Sequence, residues 1–216
     1  MFIELADHLR CPADHPEAFL VLLPERMEGR DVDQGLLGCP VCHAEYRIEG
    51  GAVSFGGPAA AASRPSGTVP AAPALQALLG LEGPGGYVAL VGDAGAAAGA
   101  LGPLLEGVHL VLVNPPVSVL APPLGTPVRA LRFPVKARSM RGVVVGWPES
   151  AEPRWIADAA GAVLPGRHVI GEGPPPALAE LELLGLAEGW WVARVVPWTP
   201  RPDQPPASRE SPFGSA

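Results

Sequence analysis

The sequence predicts an α/β protein, in which a small cysteine-bearing β unit precedes a larger, mostly parallel sheet. Three observations lead there. Between residues 75 and 198, short apolar runs such as "YVALV", "VHLVLV" and "GVVVG" alternate with helix-like stretches, the pattern of strands joined by crossover helices. Residues 1–57 instead carry alternating runs broken at glycines, together with all three cysteines of the chain. The stretch between them, "PAAAASRPSGTVPAAPA" (58–74), is an Ala/Pro/Ser linker too poor in large apolar groups to pack. A polar, Pro-rich tail from 199 to 216 is expected to be disordered.

Within the first unit "IELADHLR" has the spacing of a short helix leading into Cys11. "AFLVLLPERMEGR" reads as a strand turning at Gly29, and "GLLGCPVC" as a strand entering a tight knuckle. "AEYRIEGGAVSF" is a hairpin with Gly50–Gly51 at its turn. So small a unit buries little core, and a metal staple would stabilise it. In the second unit "ALQALLGL" predicts a helix, Tyr87–Val91 a buried strand, and "GDAGAAAGALGPLL" a Gly-rich turn into an Ala-rich helix. "VHLVLVNPP", "VRALRFPV" and "RGVVVGWP" supply further strands. "PRWIADAAGAVLPGRHVIGEG" reads as helix, turn and strand, and "PALAELELLGLAEGWWVARVV" as a helix and a last strand.

Composition narrows the function. The 216 residues are 48% hydrophobic, yet no apolar run approaches the roughly 18–20 residues of a membrane helix. "MFIELADHLRC" lacks the basic start, apolar run and cleavage site of a signal peptide, so the expected compartment is the cytoplasm. Three cysteines do not make a disulfide framework. A net charge of −7 argues against general nucleic-acid affinity, and no DNA-binding motif is present. The charge is uneven: residues 1–57 hold ten acids and four bases, whereas "RALRFPVKARSMR" (129–141) holds Arg129, Arg132, Lys136, Arg138 and Arg141 and no acid. That run is either a solvated face or a contact to RNA or to an acidic protein surface, including the acidic first unit of the same chain.

The first unit resembles the small zinc-ribbon family that includes the activator subunit of tRNA and rRNA methyltransferases. The residues that carry the likeness are Cys11-Pro12, Cys39-Pro40-Val41-Cys42, Tyr46, Ile48 and Gly50. The resemblance implies a structural zinc. Where the family has a second cysteine in the first knuckle, this chain has Asp14, followed by His15. Three thiolates with one nitrogen or carboxylate oxygen satisfy tetrahedral zinc, so Cys11, Cys39 and Cys42 with either His15 or Asp14 form the expected ligand set. His43 is expected to point elsewhere. With four positions filled the metal would be structural and not catalytic. A redox role fits poorly, because the Cys-x-x-Cys pair lies in a hairpin and not at a helix N-terminus.

Residues 75–197 resemble the class I S-adenosylmethionine-dependent methyltransferase fold, a Rossmann-like sheet. "YVALVGDAG" stands where the first strand and glycine loop belong, "ALRFPVKARSMRGVVVG" at the Leu-Pro-Phe segment, "GAVLPGRHVI" at the Leu-x-Pro-Gly-Gly turn, and "LLGLAEGWWVARVV" at the closing hairpin. The resemblance implies S-adenosylmethionine near Gly92, Asp93, Gly95 and Asn114. Its anchoring acids, however, are replaced. Leu90 stands for the first-strand acid and Asn114 for the ribose-binding acid, "GTPVRAL" offers none for the adenine amine, and the fourth-strand acid falls near Arg141–Gly142. "NPPV" (114–117) is similar to the motif of amino-methylating enzymes, but it follows the second strand and ends in Val117. His109, His168, Trp190 and Trp191 fit structural roles. No general base or nucleophile stands out. Two functions stay open: a non-catalytic methyltransferase-like module that binds a protein or RNA partner, and an active methyltransferase acting on RNA, protein or a small molecule.

Overall fold

The computed structural model describes residues 1–56, 69–117, 119, 123 and 125–196. Most of the expected linker, and the expected tail from 199, lie outside these residues. After a 3-10 turn at Ile3–His8, the first unit runs through β1 (Val21–Glu28), β2 (Asp31–Gly38), β3 (Glu45–Glu49) and β4 (Ala52–Ser54). Gly29 turns β1 into β2 at φ +61°, and Gly50 and Gly51 turn β3 into β4 at +57° and +74°. Such left-handed positions are what glycine tolerates. The second unit contains α1 (Ala72–Leu79), β5 (Tyr87–Val91), α2 (Ala98–Leu101), β6 (His109–Val113), β7 (Gly125–Arg129), β8 (Met140–Val145), α3 (Pro153–Ala162), β9 (Val163–Glu172), β10 (Leu181–Ala187) and β11 (Trp190–Val195).

Among the described residues all eleven strands form one sheet, in the order β1-β2-β3-β4-β7-β6-β5-β8-β9-β11-β10. From β4 to β9 the neighbours are parallel except within the first unit, and β11 turns antiparallel against β9. The strands β5 and β6 are apolar almost throughout, as a sheet covered on both faces requires. Two apolar cores flank the sheet. One joins the 3-10 turn of the first unit to α3 through Leu5, Leu9, Val111, Phe133, Trp155 and Trp191. The other packs α1 and α2 through Leu75, Leu79, Leu90, Leu101 and Trp190.

The two units are stitched along this sheet. β4 pairs with β7 in parallel through Val53 with Val128 and Ser54 with Arg129, and the Phe55 amide donates to the Arg129 carbonyl at 2.7 Å. Leu9 bridges to Val135, and Phe2 stacks on His109 at 3.9 Å between centroids. Arg10 meets Asp158 of α3 at 3.3 Å.

Four expectations are corrected. Helix α1 begins at Ala72, inside the expected linker, with Pro73 in its first turn where a missing N–H costs nothing. The Ala-rich helix after Gly92 is mostly 3-10, with one α-helical turn, because its glycines favour no longer helix. The strand expected in "VRALRFPV" is β7, five residues long and starting three residues earlier, at Gly125. The stretch read as a helix near 181–187 is β10, an edge strand whose period-2 pattern is broken by a bulge between Leu183 and Gly185.

Candidate metal centre and ligand crevice

Two places at the ends of strands bring together the residues singled out by sequence. The first is the cysteine cluster. The β2–β3 connection forms a tight knuckle in which the Cys39 amide donates to the Ala44 carbonyl and the His43 amide donates back to the Cys39 carbonyl, each at 2.9 Å. His43 adopts φ +59° in this turn and stands outside the cluster. In the opposing loop the His15 amide donates to the Ala13 carbonyl at 3.0 Å, and this turn brings His15 to the sulfurs and leaves Asp14 out. Ligand atoms of Cys11, His15, Cys39 and Cys42 all lie within 4.8 Å of one another. Cys11 Sγ is 3.6 Å from Cys42 Sγ, and Cys39 Sγ is 3.3 Å from His15 Nε2.

These separations match a tetrahedral ion. Usual zinc–ligand lengths put two sulfurs about 3.8 Å apart, and a sulfur and a nitrogen about 3.5 Å apart. His15 Nδ1 meets the Pro16 carbonyl at 2.7 Å, which fixes the ring and leaves Nε2 directed at the sulfurs. The Tyr46 hydroxyl lies 3.0 Å from Cys11 Sγ. Burial pushes the Cys39 thiol up, but the amides of Cys42 and Val41 outweigh it and bring the thiol down to about 7. Thiolate is therefore accessible near neutrality, as metal ligation demands. A small cavity of about 140 Å³ adjoins the cluster, rimmed by Arg10, Asp14, Glu17, Arg132, Arg154 and Asp158.

The second place is the crevice at the carboxyl ends of β5, β6 and β8. In open α/β sheets ligands lie where the crossover direction reverses, here between β5 and β8. Gly92, Asp93, Gly95 and Asn114 do converge there. What meets them is protein. A Cβ on Gly92 would collide with Glu149 Oε2 and lie 2.5 Å from the Trp147 carbonyl; one on Gly146 would lie 2.6 Å from the Ala94 amide. One on Gly95 would lie 2.9 Å from Pro115 Cβ. The Asp93 amide donates to the Trp147 carbonyl at 2.8 Å, and the Gly146 amide to the Val91 carbonyl at 3.0 Å. The glycines thus permit three loops to touch.

Asn114 ends β6 at φ +50° and is fully engaged. Its Nδ2 donates to Glu149 Oε1 and to the Ala130 carbonyl, each at 2.8 Å, and its Oδ1 accepts from the Ala130 amide at 3.0 Å. An aspartate here would set oxygen against both acceptors, which is a physical reason for the amide. Glu149 is 5% exposed, and burial raises its pKa against the lowering effect of Asn114. Sequence reading missed this residue; the only signal was an acid in "GWPES" just past a buried strand. Leu90 is completely buried against α1 and α2.

The basic run does not form one strip. Lys136 is buried, donates from Nζ to the Asp7 carbonyl at 2.9 Å and sits 3.5 Å from the Phe19 ring centre. Arg129 donates to the Pro115 carbonyl at 2.8 Å, and Arg141 to the carbonyls of Glu82, Gly83, Pro84 and Gly85. Arg138 remains exposed and Arg132 half-buried. His168 meets the Leu78 carbonyl at 2.7 Å, and both Trp190 and Trp191 are buried, in opposite cores.

No family model matches the chain, and no curated protein matches it. Among solved structures it is similar to the antibiotic-resistance methyltransferase Kmr, at 14% identity and TM-score 0.43, over 62% of this chain and 97% of that one. It is similar to a methyltransferase assigned to an antibiotic biosynthesis pathway of Anabaena variabilis at 15% identity and TM-score 0.40, over 48% of this chain. The chain spans 46% of that protein's length. A chain from the complex between the Haloferax volcanii Trm112 methyltransferase activator and a methyltransferase is 13% identical at TM-score 0.37, over 46% of this chain and 50% of that one. Among the described residues no helix is long and apolar enough to cross a membrane.

Proposed function

We propose that this chain is a non-catalytic methyltransferase-like module, stapled by a structural zinc, that serves as a binding component of a larger assembly. One observation carries the reading. Where this fold would hold a nucleoside, the chain's own loops touch over the glycine turn, with Glu149 seated on Asn114 beside Gly92. The replacement of carboxylates at Leu90 and Asn114 supports it from the sequence side. Cys11, His15, Cys39 and Cys42 would hold the zinc. Bound there it would neutralise the thiolates and tie the first knuckle to the second, with no coordination position left for water or substrate. The partner is a protein or an RNA, met by the exposed Arg138 and by Arg132, which is half-buried like Arg129 and Arg141.

Calorimetry with S-adenosylmethionine on zinc-loaded protein tests the reading. No saturable heat is expected. A dissociation constant below about 100 μM, some 5.5 kcal/mol of interaction, would favour an active methyltransferase instead.

A further inference from the structure

Glu149 is buried where donors reach only part of its carboxyl: the Asn114 side-chain amide and its own backbone amide. Its Oε1 takes the Asn114 amide proton at 2.8 Å, while Oε2 is buried without a hydrogen-bond partner among the described residues. Around the same point beside Gly92 lie the carbonyls of Trp147 and Gly146. The charged groups that bear on it are Asp93 from the glycine turn, Glu152 from its own segment and Arg129 from β7. A buried carboxylate oxygen that no donor reaches favours the protonated form.

We propose that Glu149 is a proton-operated latch. As the neutral acid it holds the loop Gly146–Glu149 against the Gly92 turn; on losing its proton it is driven out, and the loop lifts from the crevice. This rests on the reading of a crevice closed by the chain's own loop, and it adds a condition under which that closure fails. The sign follows from burial. A carboxyl whose folded pKa is raised from 4.5 contributes stability below that value and loses it as pH climbs through the raised folded value. The latch is therefore shut in acid and loosens as pH rises.

Hydrogen exchange of the Asp93 and Gly146 amides, which bond to the Trp147 and Val91 carbonyls, reads the latch directly. After correction for intrinsic exchange, wild-type protection is expected to fall tenfold or more from mildly acidic to mildly alkaline pH. The isosteric Glu149→Gln, which cannot ionise, should hold its protection across the range, and Glu149→Ala should be open throughout. Flat protection in the wild type, or a Glu149→Gln profile that falls in parallel with it, would overturn the latch. Should the alanine variant not fold, the wild-type and glutamine profiles decide the matter alone. Loss of the latch would leave the calorimetric test of non-binding untouched, whereas tight nucleoside binding at low pH would remove the closed crevice itself.

Discussion

If the cluster holds zinc as proposed, replacing Cys39 with serine is expected to weaken the site and lower the midpoint of thermal unfolding by about 6–16 °C. The size follows from two magnitudes. Structural zinc in small peptides is worth about 10–16 kcal/mol, so one ligand of four accounts for roughly 3–4. For a chain of this size each kcal/mol moves the midpoint about 2–4 °C. Cys39 is buried, and its sulfur lies 3.3 Å from His15 Nε2. His15→Ala should act similarly, whereas Asp14→Ala, outside the cluster, should keep the zinc. Metal content beside the melting curve checks all three. A full equivalent of zinc in the Cys39 variant, or its loss in the Asp14 variant, would refute the ligand set.

Removal of residues 1–56 is the second large effect, and the expected product is insoluble or unfolded. Deletion frees the β7 edge that now pairs with β4, and an unpaired edge invites aggregation. It also strips Leu5, Leu9, Val53 and Phe55 from the core shared with β6 and α3. At about 1.5–3 kcal/mol each, four such side chains amount to about 6–12 kcal/mol, close to the whole stability of a typical domain at about 5–15. A truncated chain that is monomeric, soluble and cooperatively melting would show the first unit to be an appendage.

The sequence made the central elements legible because their signals are local. Tyr87–Val91 and His109–Val113 are short, wholly apolar runs bounded by glycine or proline, and they are strands. The three cysteines pointed to a metal-type cluster through their likeness to a zinc-ribbon family. What was not legible depends on contacts between distant segments. The union of two units in one sheet through Val53 and Val128 leaves no mark in either stretch. Asp14 has the spacing of the resembled family and His15 the better donor atom, and only the turn at Ala13 brings His15 to the sulfurs. Glu149 reads as an ordinary surface acid until the chain sets it beside Gly92. The basic run is divided by contacts of the same kind: Lys136 and Arg141 donate to backbone carbonyls far away in sequence.

At the glycine turn the protein's own loops touch where a nucleoside would lie. The most direct measurement is a crystal structure of the zinc-loaded protein, grown at the acid end of its stable range and soaked with S-adenosylmethionine. The predicted result is Glu149 bonded to Asn114 with no nucleoside at the glycine turn. A nucleoside lodged above Gly92, with the Gly146–Glu149 loop displaced, would contradict it.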